Sequence, residues 1–178
     1  MKNNALELTR QAGNIIRSHT NAQHGHKTVG EHTYNLVNII LLLNPDPSLN
    51  LIKAAMWHDV PERFTGDLPS PIKKKNPELG AALTKIEDKI MHEYGLEVTL
   101  TDDEKKWLKA ADQLEYLCWA EDQKNLGNDT VTHAADYAKK WIEANAPQEL
   151  VDYIKTPRAL ISHNQIINNK ATHEQRMK

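Results

Sequence analysis

Apolar residues in this chain recur at intervals of three and four, and proline, glycine and short polar clusters cut the pattern into pieces of helix length. That period lays one apolar stripe along each piece and leaves few alternating runs to build a sheet from, so the chain is expected to be all-α. Its 178 residues provide one domain with a substantial core and too little for two. Residues 1–178 are therefore read as a single helical bundle, with a helical core over about 4–154. The stretch 155–178 is amide-rich, lacks an apolar face and is expected to be loosely ordered.

The punctuation sets the segments. The first helix is expected from about Asn4 to Arg17, with Leu6, Leu8, Ala12, Ile15 and Ile16 on its apolar side, followed by SHTNAQHGHKTVG as a loop. EHTYNLVNIILLL resumes the pattern at Glu31 and stops at Asn44, because proline at 45 disfavours helical geometry in the residue before it. Ser48 caps SLNLIKAAMWHD, whose end is forced near Pro61. A helix over about Asn76–Tyr94 closes at Gly95. Thr101-Asp-Asp-Glu104 is a capping box opening a helix that reaches about Leu126-Gly127. Cys118 shares a stripe with Trp107, Ala111 and Leu114 and is expected to pack rather than react. Further helices are expected over about Asp129–Ala146 and in PQELVDYI.

Composition removes several functions. With 22 basic against 24 acidic side chains, no polymeric nucleic acid is expected as a partner. No apolar run reaches the roughly 18 residues of a membrane span, and MKNNALELTR carries charge and amides where a signal peptide needs an apolar core. One cysteine closes no intrachain disulfide, so a reducing compartment is expected: the cytoplasm, or the host cytoplasm for a phage-encoded chain. The helices carry more apolar stripe than one small domain buries, which points to a homo-oligomer.

The chemistry concentrates in HDVPERFTGDLP, residues 58–69. Adjacent side chains on an ideal helix diverge by about 100°. His58 and Asp59 therefore meet at one point only at a helix end or kink, and Pro61 supplies a reason for either. Glu62 returns to their side of the chain. His32 stands where a helix begins after a glycine, and Asp112 lies in LKAADQLEYL beside the small Ala110 and Ala111. His32, His58, Asp59 and Asp112 make a mixed nitrogen and oxygen set suited to one divalent transition metal ion, Co²⁺, Mn²⁺, Zn²⁺ or Ni²⁺. Structural readings compete: a helix-start cap for His32, a buried hydrogen bond for Asp112, an Arg63 ion pair for Glu62.

TVGEHTYNL, AAMWHDVPERFTGDLPSPIK and LKAADQLEYL, in that order over roughly residues 14–120, resemble the HD-domain metal-dependent phosphohydrolases. The string H-D-x-x-E-x-x-T-G-D-x-P, from His58 to Pro69, is similar to the branch holding 5′-deoxynucleotidases and phage dATP triphosphohydrolases. The resemblance implies that His32, His58, Asp59 and Asp112 bind the metal and that Glu62 is the acid/base. It implies that Asp67 meets the deoxyribose near the reacting phosphate, and that Arg17, Lys73 and Lys109, with Lys27 as a further candidate, meet the phosphates. Relatives often carry Arg-Trp-His-Thr where this chain has Arg17-Ser18-His19-Thr20, so the aromatic platform is replaced and Ser18 and Thr20 become the base-contact candidates. His19, His24 and His26 are read as polar loop residues rather than a second metal site.

Several cations suit a triphosphate tail. The expected activity is accordingly hydrolysis of a small deoxynucleotide, dATP to deoxyadenosine plus triphosphate. The alternative is a 5′-deoxynucleotidase releasing phosphate from dNMPs, and a third reading is a non-catalytic helical nucleotide-binding module. Alarmone hydrolysis is disfavoured because Arg63 stands where those enzymes place an aspartate after the glutamate.

Overall fold

The computed structural model describes residues 2–156, with the side chains of 4–156; the rest of the tail expected to be loosely ordered, 157–178, lies outside them. Helix α1 spans Lys2–Ala12 and is shorter than its apolar pattern suggests. The chain leaves the helix at Gly13, and Ile16–Arg17 forms strand β1, antiparallel to β2 at Lys27–Thr28, with Arg17 opposite Lys27. The Val29 N–H donates to the Ile15 carbonyl at 2.8 Å, and the Gly30 N–H to the Gly13 carbonyl at 3.0 Å. Ile15 and Ile16 fit a helical stripe and a two-residue strand equally well, so periodicity could not expose this hairpin.

The hairpin depends on close backbone approach. A Cβ on Gly30 would stand 3.0 Å from the Gly13 carbonyl oxygen, a backbone atom that already accepts the Gly30 N–H. Gly30→Ala is expected to destabilise the protein by about 1–3 kcal/mol through overpacking. In a thermal melt that is a fall in Tm of roughly 2–4 °C per kcal/mol; an unchanged Tm refutes the tight contact.

Helix α2, Val29–Leu43, begins two residues earlier than expected, because Thr28 caps it by accepting the Glu31 N–H. It stops at Asn44, ahead of Pro45. Helix α3, Leu49–Trp57, is capped by Ser48 through the Leu51 N–H. Helices α4, Glu62–Thr65, and α5, Ser70–Lys75, are too short to show a period in the sequence. Helix α6, Pro77–Tyr94, closes at Gly95, whose φ of 66° is left-handed. Both halves of the Thr101–Glu104 capping box are formed at the start of α7, Asp102–Asn125. A 3₁₀ turn at Asp129–Val131 precedes α8, Thr132–Asn145, and α9, Gln148–Lys155.

Helix α7 is the central post, with α2, α3, α8 and α9 packed on it. Leu36, Ile40, Leu51, Leu114, Ile142 and Leu150 are fully buried in the main core, and Cys118 packs half-buried against it. A smaller cluster of Leu8, Ala12, Val60 and Leu96 ties α1 to the turn after α3 and to the chain beyond α6. The architecture is the all-α bundle expected, with β1–β2 as its only sheet among the described residues. No helix among the described residues is long and apolar enough to cross a membrane.

Candidate active site

Helix α3 ends one residue before the His-Asp pair. After Trp57 the chain tightens: Val60 N–H donates to Trp57, Glu62 N–H to Asp59, and Arg63 N–H to Val60, each a three-residue step. Three residues per turn bring positions i and i+3 into line, which places Asp59 and Glu62 on one side. Pro61 contributes by removing the N–H that a regular helix would need there.

His58 is pinned through Nδ1, which lies 3.0 Å from the Ala55 carbonyl and donates to it, and its Nε2 stands 3.1 Å from Asp59 Oδ2. His32, fully buried on α2, brings Nε2 to 3.3 Å from His58 Nε2 and 3.4 Å from Asp59 Oδ2. Ligand atoms of His32, His58 and Asp59 all lie within 4.8 Å of one another. Asp112, on α7, borders this trio with Oδ1 3.7 Å from His32 Nε2. Two imidazole nitrogens and carboxylate oxygens aimed at one point fit a divalent transition ion.

Arg17, at the end of β1, enters from the hairpin. Its guanidinium pairs with Asp59 and lies 3.8 Å from Glu62 Oε1 and 4.0 Å from Asp112 Oδ1. Burial opposes its charge, but these carboxylates and Asp67 outweigh burial and raise its pKa. Burial likewise opposes charge on Asp59, yet His58, Arg17 and His32 hold that carboxyl well below the usual range. For His58 burial is outweighed by Asp59, which keeps the imidazole up at about 9. Burial holds His32 below the usual histidine range, against the pull of Glu115.

Glu62 behaves oppositely. Burial and the neighbouring Asp59 push its carboxyl up to about 8, and Oε2 is buried with no hydrogen-bond partner. An orphaned carboxyl oxygen beside a ligand cluster, poised near neutral pH, suits a proton-transfer group.

These shifts carry a pH signature in metal-free protein. Glu62 is raised from 4.5, so its contribution to stability is complete below 4.5 and is lost as pH rises through about 8. His58 is raised from 6.5 and loses its contribution as pH rises through about 9. Chelator-treated protein is therefore expected to lose about 2–4 kcal/mol between roughly pH 6.5 and 8. Denaturant titrations across that window check the sign; rising stability contradicts it.

The remaining expected site residues divide. Asp67 is held by the Ser18 N–H, which donates to its Oδ2 at 2.7 Å, and Ser18 itself sits at a left-handed φ of 55°. Thr20 is exposed, as are His19, His24 and His26 on the same loop. Lys109 Nζ contacts Asp112 Oδ2 at 2.9 Å, on the shared face that an i, i+3 spacing implies. Lys73 is half-buried on α5, and its charge acts on Glu87. Lys27 is turned inward: its ammonium is buried, 2.6 Å from Glu115 Oε2, and does not join Arg17 at the centre.

Glu115, in contact with the candidate ligand His32, is a residue of this region that the sequence did not single out. It is 2% exposed, and its Oε2 also lies 2.6 Å from His32 Nδ1. Its signal was a carboxylate between Leu114 and Cys118 on the apolar stripe of α7, one helical turn beyond Asp112. Gln123 and Asn128 were missed too: Gln123 bonds both the N–H and the carbonyl of His24, Asn128 bonds the Ala22 carbonyl, and together they fasten the loop.

A helical bundle that brings His32, His58 and Asp59 together, with Asp112 bordering them and a half-buried Glu62 alongside, has the arrangement of the HD-domain class. Within that class the chain belongs to the YfbR-like 5′-deoxynucleotidase family, whose profile matches residues 6–157. It is 32% identical over 118 residues to the 5′-deoxynucleotidase of Photorhabdus temperata, an alignment covering 57% of this chain and 59% of that protein. Against a 5′-deoxynucleotidase of Pasteurella multocida the identity is 50% over 46 residues, 26% of this chain and 22% of the relative. The chain thus spans between about a fifth and three-fifths of the length of these curated relatives. A crystal structure of a Pyrococcus horikoshii protein superposes with a TM-score of 0.66 at 16% identity, over 85% of this chain and 94% of that one. A Pyrococcus furiosus protein gives 0.64 at 20%, over 85% and 96%. At these identities the two structures establish the fold alone.

Proposed function

We propose that the protein is a metal-dependent 5′-deoxynucleotidase that hydrolyses deoxynucleoside monophosphates to deoxynucleoside and phosphate. The observation that carries the reading is the convergence of His32, His58 and Asp59, bordered by Asp112, beside the unpartnered Glu62 oxygen. Family membership supports it, since the curated relatives are named 5′-deoxynucleotidases. The triphosphate expectation drew on four cations meeting the substrate. Lys27 is engaged with buried Glu115 and the charge of Lys73 acts on Glu87, which leaves Arg17 and Lys109, each paired with a carboxylate of the site, as the cations bordering the cluster. A single phosphate needs little more than that.

His32, His58, Asp59 and Asp112 would hold the ion, which when bound supplies Lewis acidity toward water and the phosphoryl oxygen. Arg17 orients the phosphate, exchanging its carboxylate contacts for charge-assisted bonds to phosphate oxygens. Water oxygen bonds to phosphorus as the bond to the 5′ oxygen breaks. Glu62 takes the water proton and returns it to the 5′ oxygen, so protons balance and Glu62 ends as it began. In this reading Asp67, which accepts the Ser18 N–H, takes the deoxyribose, and Ser18 and Thr20 take the base. Self-association remains part of the proposal, with exposed Tyr34, Leu41 and Leu42 on α2 as the apolar surface to cover.

The test is a panel of dNMPs and dNTPs incubated with Co²⁺ or Mn²⁺, with products separated by chromatography. Deoxynucleoside and phosphate from dNMPs are expected. Release of triphosphate from dATP with dAMP inert returns the function to triphosphohydrolysis, and no turnover of any nucleotide favours a binding module.

A further inference from the structure

Behind His32, on the side away from Asp59, lies a second charged cluster that the proposed chemistry does not use. Glu115 Oε2 stands 2.6 Å from His32 Nδ1 and 2.6 Å from Lys27 Nζ. His32, Lys27 and Glu115 are 0%, 4% and 2% exposed. The Lys27 ammonium is further boxed by the rings of Trp119 and Tyr116, at 5.1 and 6.0 Å from their centroids. Breaking a buried pair of this kind leaves an uncompensated charge, so these three groups act as a unit that links β2, α2 and α7.

We propose that Lys27 and Glu115 form a positioning pair that orients His32 for metal binding. Glu115 accepts the Nδ1–H, which selects the tautomer whose Nε2 lone pair faces His58, Asp59 and Asp112. Lys27, 2.6 Å from the same Glu115 oxygen, holds that carboxyl in place behind His32. An outer carboxylate on a ligating histidine fixes ring and tautomer in this way, and its loss costs 10–100-fold in metal affinity in general. The inference rests on the metal-binding part of the proposed function.

Co²⁺ affinity, measured by competition with a chromogenic chelator, tests the pair without reference to turnover. Glu115→Leu is expected to weaken Co²⁺ binding about 10–100-fold. Glu115→Gln retains an acceptor oxygen and is expected to recover most of that loss. Lys27→Met leaves Glu115 buried without its cation, and adding Glu115→Gln to it is expected to restore affinity. Nitrogen-15 NMR of the metal-free protein reads the His32 tautomer directly: Nδ1–H in the wild type, a mixture in Glu115→Leu. A folded Glu115→Leu protein with wild-type Co²⁺ affinity and an unchanged tautomer overturns the proposal. If Glu115→Leu does not fold, equal affinities for wild type, Lys27→Met and the double variant overturn it instead. Wild-type protein that binds no Co²⁺ while the tautomer result holds defeats the metal reading but leaves the orientation of His32 established.

Discussion

Replacing Glu62 with glutamine is expected to lower kcat by about 10²–10⁴-fold, the range for loss of a positioned acid/base. Metal affinity should stay nearly unchanged, because Glu62 is outside the cluster whose ligand atoms converge. Glutamine keeps the shape of the side chain and removes the proton that the pocket holds up to about 8. Stability between about pH 5 and 8 should therefore become flatter in the variant, since the neutral amide carries no charge to bury. The decisive measurement is single-turnover hydrolysis of a dNMP at saturating Co²⁺, alongside Co²⁺ titration. Equal turnover in wild type and variant would remove Glu62 from the reaction, and a parallel collapse of Co²⁺ binding would reassign it as a ligand.

Asp59→Asn acts on a different quantity. Asp59 touches His58, His32 and Arg17, so its carboxylate is the counter-ion of buried groups as well as a proposed ligand. Removing one member of such a pair costs about 3–5 kcal/mol, because the remaining charge stays buried without compensation. Metal-free Asp59→Asn should melt well below metal-free wild type. At a metal concentration about a hundredfold above its Kd, a single bound ion adds about 2.7 kcal/mol to the wild type. That increment should disappear in Asp59→Asn, along with dNMP hydrolysis. Thermal melts with and without Co²⁺ check both effects; an undiminished metal-dependent rise in Tm would exclude Asp59 from the ligand set.

Residues brought together by local geometry are legible in the sequence. Asp59 and Glu62 meet because three positions and a proline separate Trp57 from Glu62, and the tight turn that follows α3 is already implied by Pro61. Lys109 and Asp112 pair because they are three apart on one helix. The Thr101 capping box and Gly95 terminator formed where their side-chain chemistry required. Lys27, a further phosphate-contact candidate by its place just before Glu31 and His32, instead buries its ammonium against Glu115. Its partner, Glu115, lies 88 positions away, and no local rule could name it.

The sequence by itself determined the helical class, the main helices and the identities of the four ligand candidates, because periodicity, caps and motif spacing are written within a few residues. Tertiary structure alone decided that α1 stops at Ala12, that the hairpin carries Arg17 to Asp59, and that Lys27 is buried against Glu115. The physical reason is that the end of α1 depends on backbone partners at Val29 and Gly30, and the two charges on the partners that packing brings to offset their desolvation. Those partners, Asp59 beyond α3 and Glu115 on α7, come within reach only once the helices are packed.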